Sequence, residues 1–287
     1  MGDRSIVVGD RGYAAGTCDP DAVDAEVRAG DRPGTFALWQ DGERQSEVDL
    51  ADPTRLTFDY ARRLADVVDL AAPPGVPLRV VHVGGAAMML PRYVSATRPR
   101  SSQIVLEPDE AVIALVRREL PLPARSGVRI RPVGGREGVA ALRDQSVDVV
   151  LLDAFAGAET PRGLLTREFF ADVARVLVSG GLLAANLADT APFPVVRTAV
   201  AGIREIFPDL LLGAEPATLK ARRRGNVVAV AGGAVPLEAF RARASAHATP
   251  YRVFDQRGVS DSFGGGRAAS EASHPSEARE VDGRPVE

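Results

Sequence analysis

The chain has 287 residues, 45% of them apolar and 25% charged, with 35 Lys and Arg against 38 Asp and Glu and a net charge of −3. That composition excludes a largely disordered, collagen-like or fibrous chain and argues against non-specific nucleic-acid binding. A lone cysteine, Cys18, and three histidines leave no internal disulfide and no Cys/His zinc pattern, so no metal is expected. No apolar run approaches the roughly 18–20 residues of a membrane span. The opening MGDRSIVVGDRGY has acids and glycines where a secretory signal needs a basic stretch and an apolar core. A cytoplasmic protein without a membrane or nucleic-acid partner is the expectation.

Three zones follow one another. Residues 1–50 form an N-terminal β-hairpin region: 34–39 (GTFALW) and 43–50 (ERQSEVDL) flank Asp41-Gly42, a pair suited to a turn with φ > 0 at both central positions. Residues 51–257 form a domain of compact apolar runs alternating with helical patterns. Its first helix is expected over 52–70, with Leu56, Tyr60, Leu64, Val67 and Val68 on one face. Strands are then expected at 78–83 (LRVVHV), 103–107 (QIVLE), 128–133, 147–153 (VDVVLLD) and 181–186. Helices are expected around 88–96 and at 110–120, 138–142, 166–177 and 194–207. Near-continuous apolar strands separated by helices predict a parallel sheet covered on both faces. Strands at 210–213 and 226–231, joined through Lys220-Ala221-Arg222-Arg223-Arg224, predict an antiparallel hairpin at its edge. Residues 258–287 have almost no large apolar side chain and are expected to be a disordered tail. The predicted fold is α/β, a Rossmann-like doubly wound, mostly parallel sheet with a small N-terminal β-hairpin domain.

In such sheets ligands bind beyond the carboxyl ends of the strands, where the strand order reverses. The candidates are therefore the residues after each strand: Gly84 and Gly85, Glu107, Gly134 to Arg136, Asp153, and Asn186 with Asp189. Gly84 and Gly85 lack the side chains that would keep a ligand from the backbone. Glu107 follows Gly85 by about 20 residues, the spacing at which a carboxylate accepts hydrogen bonds from a ribose diol. Taken singly, each has a plainer reading: a tight turn for the glycines, a helix cap or surface acid for Glu107 and Asp153. His82, inside a strand, reads as a core or near-pocket imidazole rather than a catalytic base, and Met88 and Met89 as core packing ahead of pocket lining. Trp39 is expected to pack on the sheet domain or on a second subunit.

The order of the motifs DGERQSEVDL, LTFDYARRL, VVHVGG, VLEPDEAVI, VDVVLLDAF, LTREFF, NLAD and RRRGNVVAVA, spread over residues 35–231, resembles the spermidine synthase family. These are aminopropyltransferases with the Rossmann-like fold of class I S-adenosylmethionine-dependent methyltransferases, and the likeness is strongest to the high-GC bacterial type. The resemblance implies decarboxylated S-adenosylmethionine as co-substrate and a small-molecule amine as acceptor. It assigns Glu107 to the ribose and Gly84 and Gly85 to the loop under the aminopropyl or methionine part. Gln45, Gly135 and Arg136 join them as nucleoside-binding residues, Tyr60 as a substrate-side tyrosine, and Asp153 as the carboxylate that helps deprotonate the attacking amine. The family is often dimeric, and a homodimer is left open.

Several positions depart from that pattern. The glycine loop reads GGAAMM, without the family's aspartate. Ala156 stands where a second aspartate grips the diamine, Tyr60-Ala61-Arg62 replaces Tyr-x-Glu, and Gly134-Gly135 replaces an acid that reads adenine. A dication needs several carboxylates to offset its desolvation. Two alternatives to aminopropyl transfer therefore stay open: methyl transfer from S-adenosylmethionine itself to an unknown acceptor, and a catalytically inactive nucleoside-binding homologue.

Overall fold

A computed structural model describes residues 25–157 and 159–273. Cys18 and His274 lie outside the described residues. A three-stranded antiparallel sheet comes first, β1 (Ala25–Ala29), β2 (Thr35–Gln40) and β3 (Glu43–Asp49), in the order β1-β2-β3. Asp41 and Gly42 turn between β2 and β3 with φ of 51° and 76°, the left-handed pair a two-residue hairpin requires. The strand before the hairpin, β1, was not anticipated. Arg28 on β1 stacks its guanidinium 4.5 Å from the ring centre of Trp39, so the tryptophan packs within its own sheet. Leu38 and Val48 are buried together with Leu56, Ala61, Val105 and Val116, which ties this small sheet to the rest of the molecule.

The first helix, α1 (Asp59–Ala71), starts seven residues later than expected. The carboxylate of Asp49 accepts the N–H groups of Ala51 and Asp52, and Asp52 accepts that of Thr54. These local bonds hold the Asp-Pro segment in turns rather than helix. There follow β4 (Arg79–Val83), α2 (Met89–Thr97), β5 (Ser102–Leu106), α3 (Glu110–Glu119), β6 (Val128–Arg131), α4 (Gly135–Ala140) and β7 (Val147–Leu152). A 3-10 turn, Arg162–Leu165, leads into α5 (Arg167–Val176). The remaining elements are β8 (Leu177–Asp189), α6 (Pro194–Ile206), β9 (Asp209–Ala214), α7 (Pro216–Leu219), β10 (Gly225–Gly232), α8 (Leu237–Ala246), β11 (Arg252–Phe254) and α9 (Gln256–Phe263).

The eight-stranded sheet has the order β11-β9-β10-β8-β7-β4-β5-β6. Strands β4 to β8 are parallel, whereas β10 runs antiparallel to both β8 and β9. The chain winds outward from β4 through β5 and β6 on one side and through β7 and β8 on the other. The order therefore reverses between β4 and β7. One face is covered by α4, α5, α6 and α9 over a core that includes Val81, Leu152, Phe169, Phe170 and Ile203. The other is covered by α1, α2 and α8 over Leu64, Val80, Leu151 and Phe240. This is the doubly wound α/β architecture expected from the strand–helix rhythm.

Two expectations change. The β9–β10 hairpin is not the sheet edge, because β11 pairs antiparallel with β9 outside it. Residues 258–273 are not a disordered tail either. Asp255 caps α9 by accepting the Gly258 N–H, and Val259 and Phe263, one helical turn apart, are both buried. Phe263 meets Phe193 and Phe254 edge-on, with ring centres 5.3 and 5.4 Å away. Two apolar side chains at the right spacing suffice where composition averaged over thirty residues suggests none. Beyond α9, Arg167 donates its backbone N–H to the Ala269 carbonyl, fastening the segment to α5. Residues 274–287 lie outside the described residues. Among the described residues, no helix is long and apolar enough to cross a membrane.

Candidate active site

The strand registers set the candidate residues side by side. Val83 pairs with both Leu106 and Leu152, and Leu152 with Ala185. The next residue on each strand is therefore level with its neighbours: Glu107, Gly84, Asp153 and Asn186 form one row along the carboxyl rim. At about 4.8 Å per strand, Glu107 and Asp153 stand roughly 10 Å apart along this row. The row opens into a cavity of about 1400 Å³ that Gln45, Tyr60, Gly85, Gly135 and Arg136 also line. Drug-sized ligands occupy pockets of roughly 300–1,000 Å³, so the space accommodates a nucleoside together with a second small molecule.

Glu107 is held in place before any ligand arrives. Its Oε2 accepts the N–H of Gly85 at 2.9 Å and that of Ala86 at 3.4 Å, and its Oε1 accepts that of Asp109 at 3.2 Å. A carboxylate offers about four lone-pair directions, and with three N–H groups accepted it keeps capacity for one further donor such as a hydroxyl on the cavity side.

The glycines have packing tasks that sequence reasoning did not foresee. Gly84 has φ of +91°, and a Cβ there would lie 2.3 Å from the Asp153 carbonyl oxygen. The missing side chain lets the β4 and β7 loops touch at the reversal point. At Gly135 a Cβ would come within 2.2 Å of a Val83 methyl. Both line the cavity, but their absent side chains are explained by neighbouring protein rather than by the approach of a ligand.

Arg136 is also committed. Its Nη1 donates to Asp172 at 2.6 Å and its Nε to Glu271. Replacing Arg136 with alanine is therefore expected to shift nucleoside affinity less than threefold, while the attachment of the 269–273 segment weakens. Limited proteolysis alongside a binding titration checks both parts. Asp189 accepts the N–H groups of Thr190 and Val196, binding the start of α6, and takes no part in the cavity lining.

Asp153 is the group whose ionisation the fold alters. Burial raises its carboxyl to about 6, and a hydrogen bond from Asn186 partly offsets the rise. The Asn186 Nδ2 donates to Asp153 Oδ1 at 2.9 Å. Burial, seconded by the negative charge of Asp153, pushes the Tyr60 phenol well above its usual range, so Tyr60 stays neutral. Phe58 stacks on Tyr60 at 5.6 Å between ring centres and limits its movement. His82 also lines the cavity, with its Nε2 2.8 Å from Gln103 Oε1. Burial presses it down to about 4, against the Gln103 bond, so it is uncharged at neutral pH. Met88 and Met89 are both buried, and Met89 reaches the lining. Asn186 was legible only as a residue after a strand. Its bond to Asp153 depends on the β7–β8 register, which no local pattern encodes.

No family model matches the chain. A polyamine aminopropyltransferase of Vibrio vulnificus is 30% identical over 153 residues, which are 52% of this chain and 50% of that protein. The chain thus matches about half the length of the curated relatives. A probable spermidine synthase from Corynebacterium glutamicum superposes with a TM-score of 0.80 at 26% identity, covering 96% of this chain and all of the other. A spermidine synthase solved with the transition-state analogue AdoDATO shares the fold, with a TM-score of 0.54 at 17% identity over 84% of each chain. Joined to the order of motifs along the sequence, these likenesses support a spermidine synthase-like family.

Proposed function

We propose that the chain is a transferase that alkylates an amine with decarboxylated S-adenosylmethionine. The observation that carries this reading is the pair of carboxylates, Glu107 and Asp153, on either side of Gly84-Gly85 along one cavity. In this reading Glu107 holds the ribose hydroxyls and directs the sulfonium toward Asp153. Gln45 and the Gly84-Gly85 backbone contact the nucleoside, and Tyr60 closes the acceptor side.

The amine must arrive or become neutral, because its lone pair forms the new C–N bond. Asp153 holds the ammonium and accepts or relays its proton. The nitrogen attacks the aminopropyl carbon next to sulfur. The C–S bond breaks with its electron pair going to sulfur, and neutral methylthioadenosine leaves. The sulfonium is an excellent leaving group, so positioning and charge placement supply most of the remaining acceleration. No carboxylate follows Gly84-Gly85 in the Ala86–Met89 stretch to favour the decarboxylated donor. That observation supports a second reading, methyl transfer from S-adenosylmethionine.

Calorimetric titration with methylthioadenosine, decarboxylated S-adenosylmethionine and S-adenosylmethionine tests both. Binding of methylthioadenosine and the decarboxylated donor is the expected result. Tighter binding of the carboxylated donor would favour methyl transfer, and binding of none would overturn the nucleoside reading altogether.

A further inference from the structure

Asp153 and Asn186 lie side by side in the cavity lining. Asn186 Nδ2 donates to Asp153 Oδ1 at 2.9 Å, the orientation an ionised, acceptor-only carboxylate requires at neutral pH. The Asn186 Oδ1 is left buried and, among the described residues, without a hydrogen-bond partner, on a side chain with 0% exposure that lines the cavity. A buried, unpaired carbonyl oxygen costs free energy until a donor reaches it. It sits beside a carboxylate, and the donor that satisfies both acceptors is an amine or ammonium N–H.

Beyond this pair the lining changes character. The loop leaving β7 presents Ala154, Phe155 and Ala156, none with an anionic side chain. Two strands further along the rim, β10 contributes Asn226 and, just before it, Arg224, whose guanidinium donates to the Ala188 carbonyl at 3.2 Å. The other lining carboxylates are on other elements. Glu107, Asp109 and Glu137 lie toward β5 and β6, Glu271 is paired with Arg136, and Asp41 and Glu43 are exposed at the hairpin turn next to Arg44. A second ammonium entering past Asp153 would lose its water and, among the described residues of the β7 loop and β10 that line the cavity, find no carboxylate.

We propose that the acceptor carries a single amine, held between the Asp153 carboxylate and Asn186 Oδ1, and that its far end bears no positive charge. The proposal rests on the transferase reading above, and its test separates the two. Methylthioadenosine is first titrated into the full chain. Transfer from decarboxylated S-adenosylmethionine is then measured by product mass with three acceptors that share a four-carbon chain: butylamine, 4-aminobutyrate and 1,4-diaminobutane.

The expected result is a kcat/KM at least tenfold higher for one of the two monoamines than for the diamine. Ala156→Asp, which adds a carboxylate beyond Asp153, narrows that gap by raising the diamine. A preference for butylamine identifies a neutral far end, and one for 4-aminobutyrate an anionic one. Equal or better use of 1,4-diaminobutane overturns the proposal, as does the absence of transfer to all three while methylthioadenosine binds. Failure of methylthioadenosine to bind removes the transferase reading itself and the proposal with it.

Discussion

Replacing Asp153 with asparagine is expected to lower transfer by roughly 10²–10⁴-fold, the range typical of a lost acid–base group, and to make the protein more stable at neutral pH. The two effects share one cause. Burial lifts this carboxyl from an ordinary 3.8 to about 6, so at pH 7 the fold holds a charge it disfavours. Asparagine keeps the shape and accepts the Asn186 bond through its own Oδ1, but it cannot take a proton. The folded-state pKa is raised, so the folded state binds the proton more tightly than the unfolded chain. The wild-type contribution is most favourable below 3.8, weakens as pH rises toward 6 and levels off above it. The variant's advantage is therefore up to about 3 kcal/mol at pH 7, less what water in the cavity screens, and it shrinks toward zero near pH 4. Thermal unfolding of both proteins from pH 4 to 8 checks this, and the pH profile of kcat/KM should show an ascending limb near pH 6. Unchanged transfer would remove Asp153 from the chemistry. A variant no more stable at pH 7 than the wild type would mean that the carboxylate is better solvated than its surroundings indicate.

Methylthioadenosine affinity separates this role from simple damage. Asp153 stands two strands from Glu107, and its side chain makes no bond to the glycine loop; its backbone N–H donates to Val83. The nucleoside dissociation constant of the asparagine variant should therefore stay within a few-fold of wild type.

Much of the architecture could be read because β4, β5 and β7 are short apolar runs stopped by glycine or an acid, and the crossovers carry helical stripes. What could not be read depends on contacts between distant segments. The first helix starts at Asp59 because Asp49 and Asp52 hold turns that propensity alone does not foresee. Helix α9 exists because Val259 and Phe263 find Phe193 and Phe254, which lie in other elements. The candidate site divides in the same way. Glu107 and Asp153 were visible as acids ending strands, since that position follows from the fold class. The commitment of Arg136 to Asp172 and Glu271 was not, because one partner lies 135 residues away in a segment that looked disordered. Asn186 acquires its meaning only when the β7–β8 register sets it level with Asp153.

Removing the Glu107 side chain is expected to weaken nucleoside binding by about 1.5–3 kcal/mol, roughly 10- to 150-fold in the dissociation constant. Two losses are mixed in that figure. Alanine deletes the acceptor proposed for the ribose hydroxyls, and it also releases the Gly85 N–H that Oε2 now holds at 2.9 Å. A double-mutant cycle separates them. Wild type and Glu107→Ala are each titrated with methylthioadenosine and with its 2′-deoxy counterpart. If the carboxylate grips the ribose directly, deleting either partner removes the same interaction. The 2′-deoxy ligand then binds the wild type weakly but loses little more on the variant, and the cycle shows a coupling of about 1 kcal/mol or more. If Glu107 acts only by holding the glycine loop, both ligands weaken equally and the coupling is near zero. Glu107→Gln sharpens the comparison, because an amide can hold the Gly85 N–H with its oxygen while offering its NH₂ to a hydroxyl. It should bind more tightly than alanine and less tightly than the native acid. A carboxylate that neither variant shows to be coupled to the 2′-hydroxyl would leave the rim without its ribose anchor, and the donor would have to lie across the sheet in another direction.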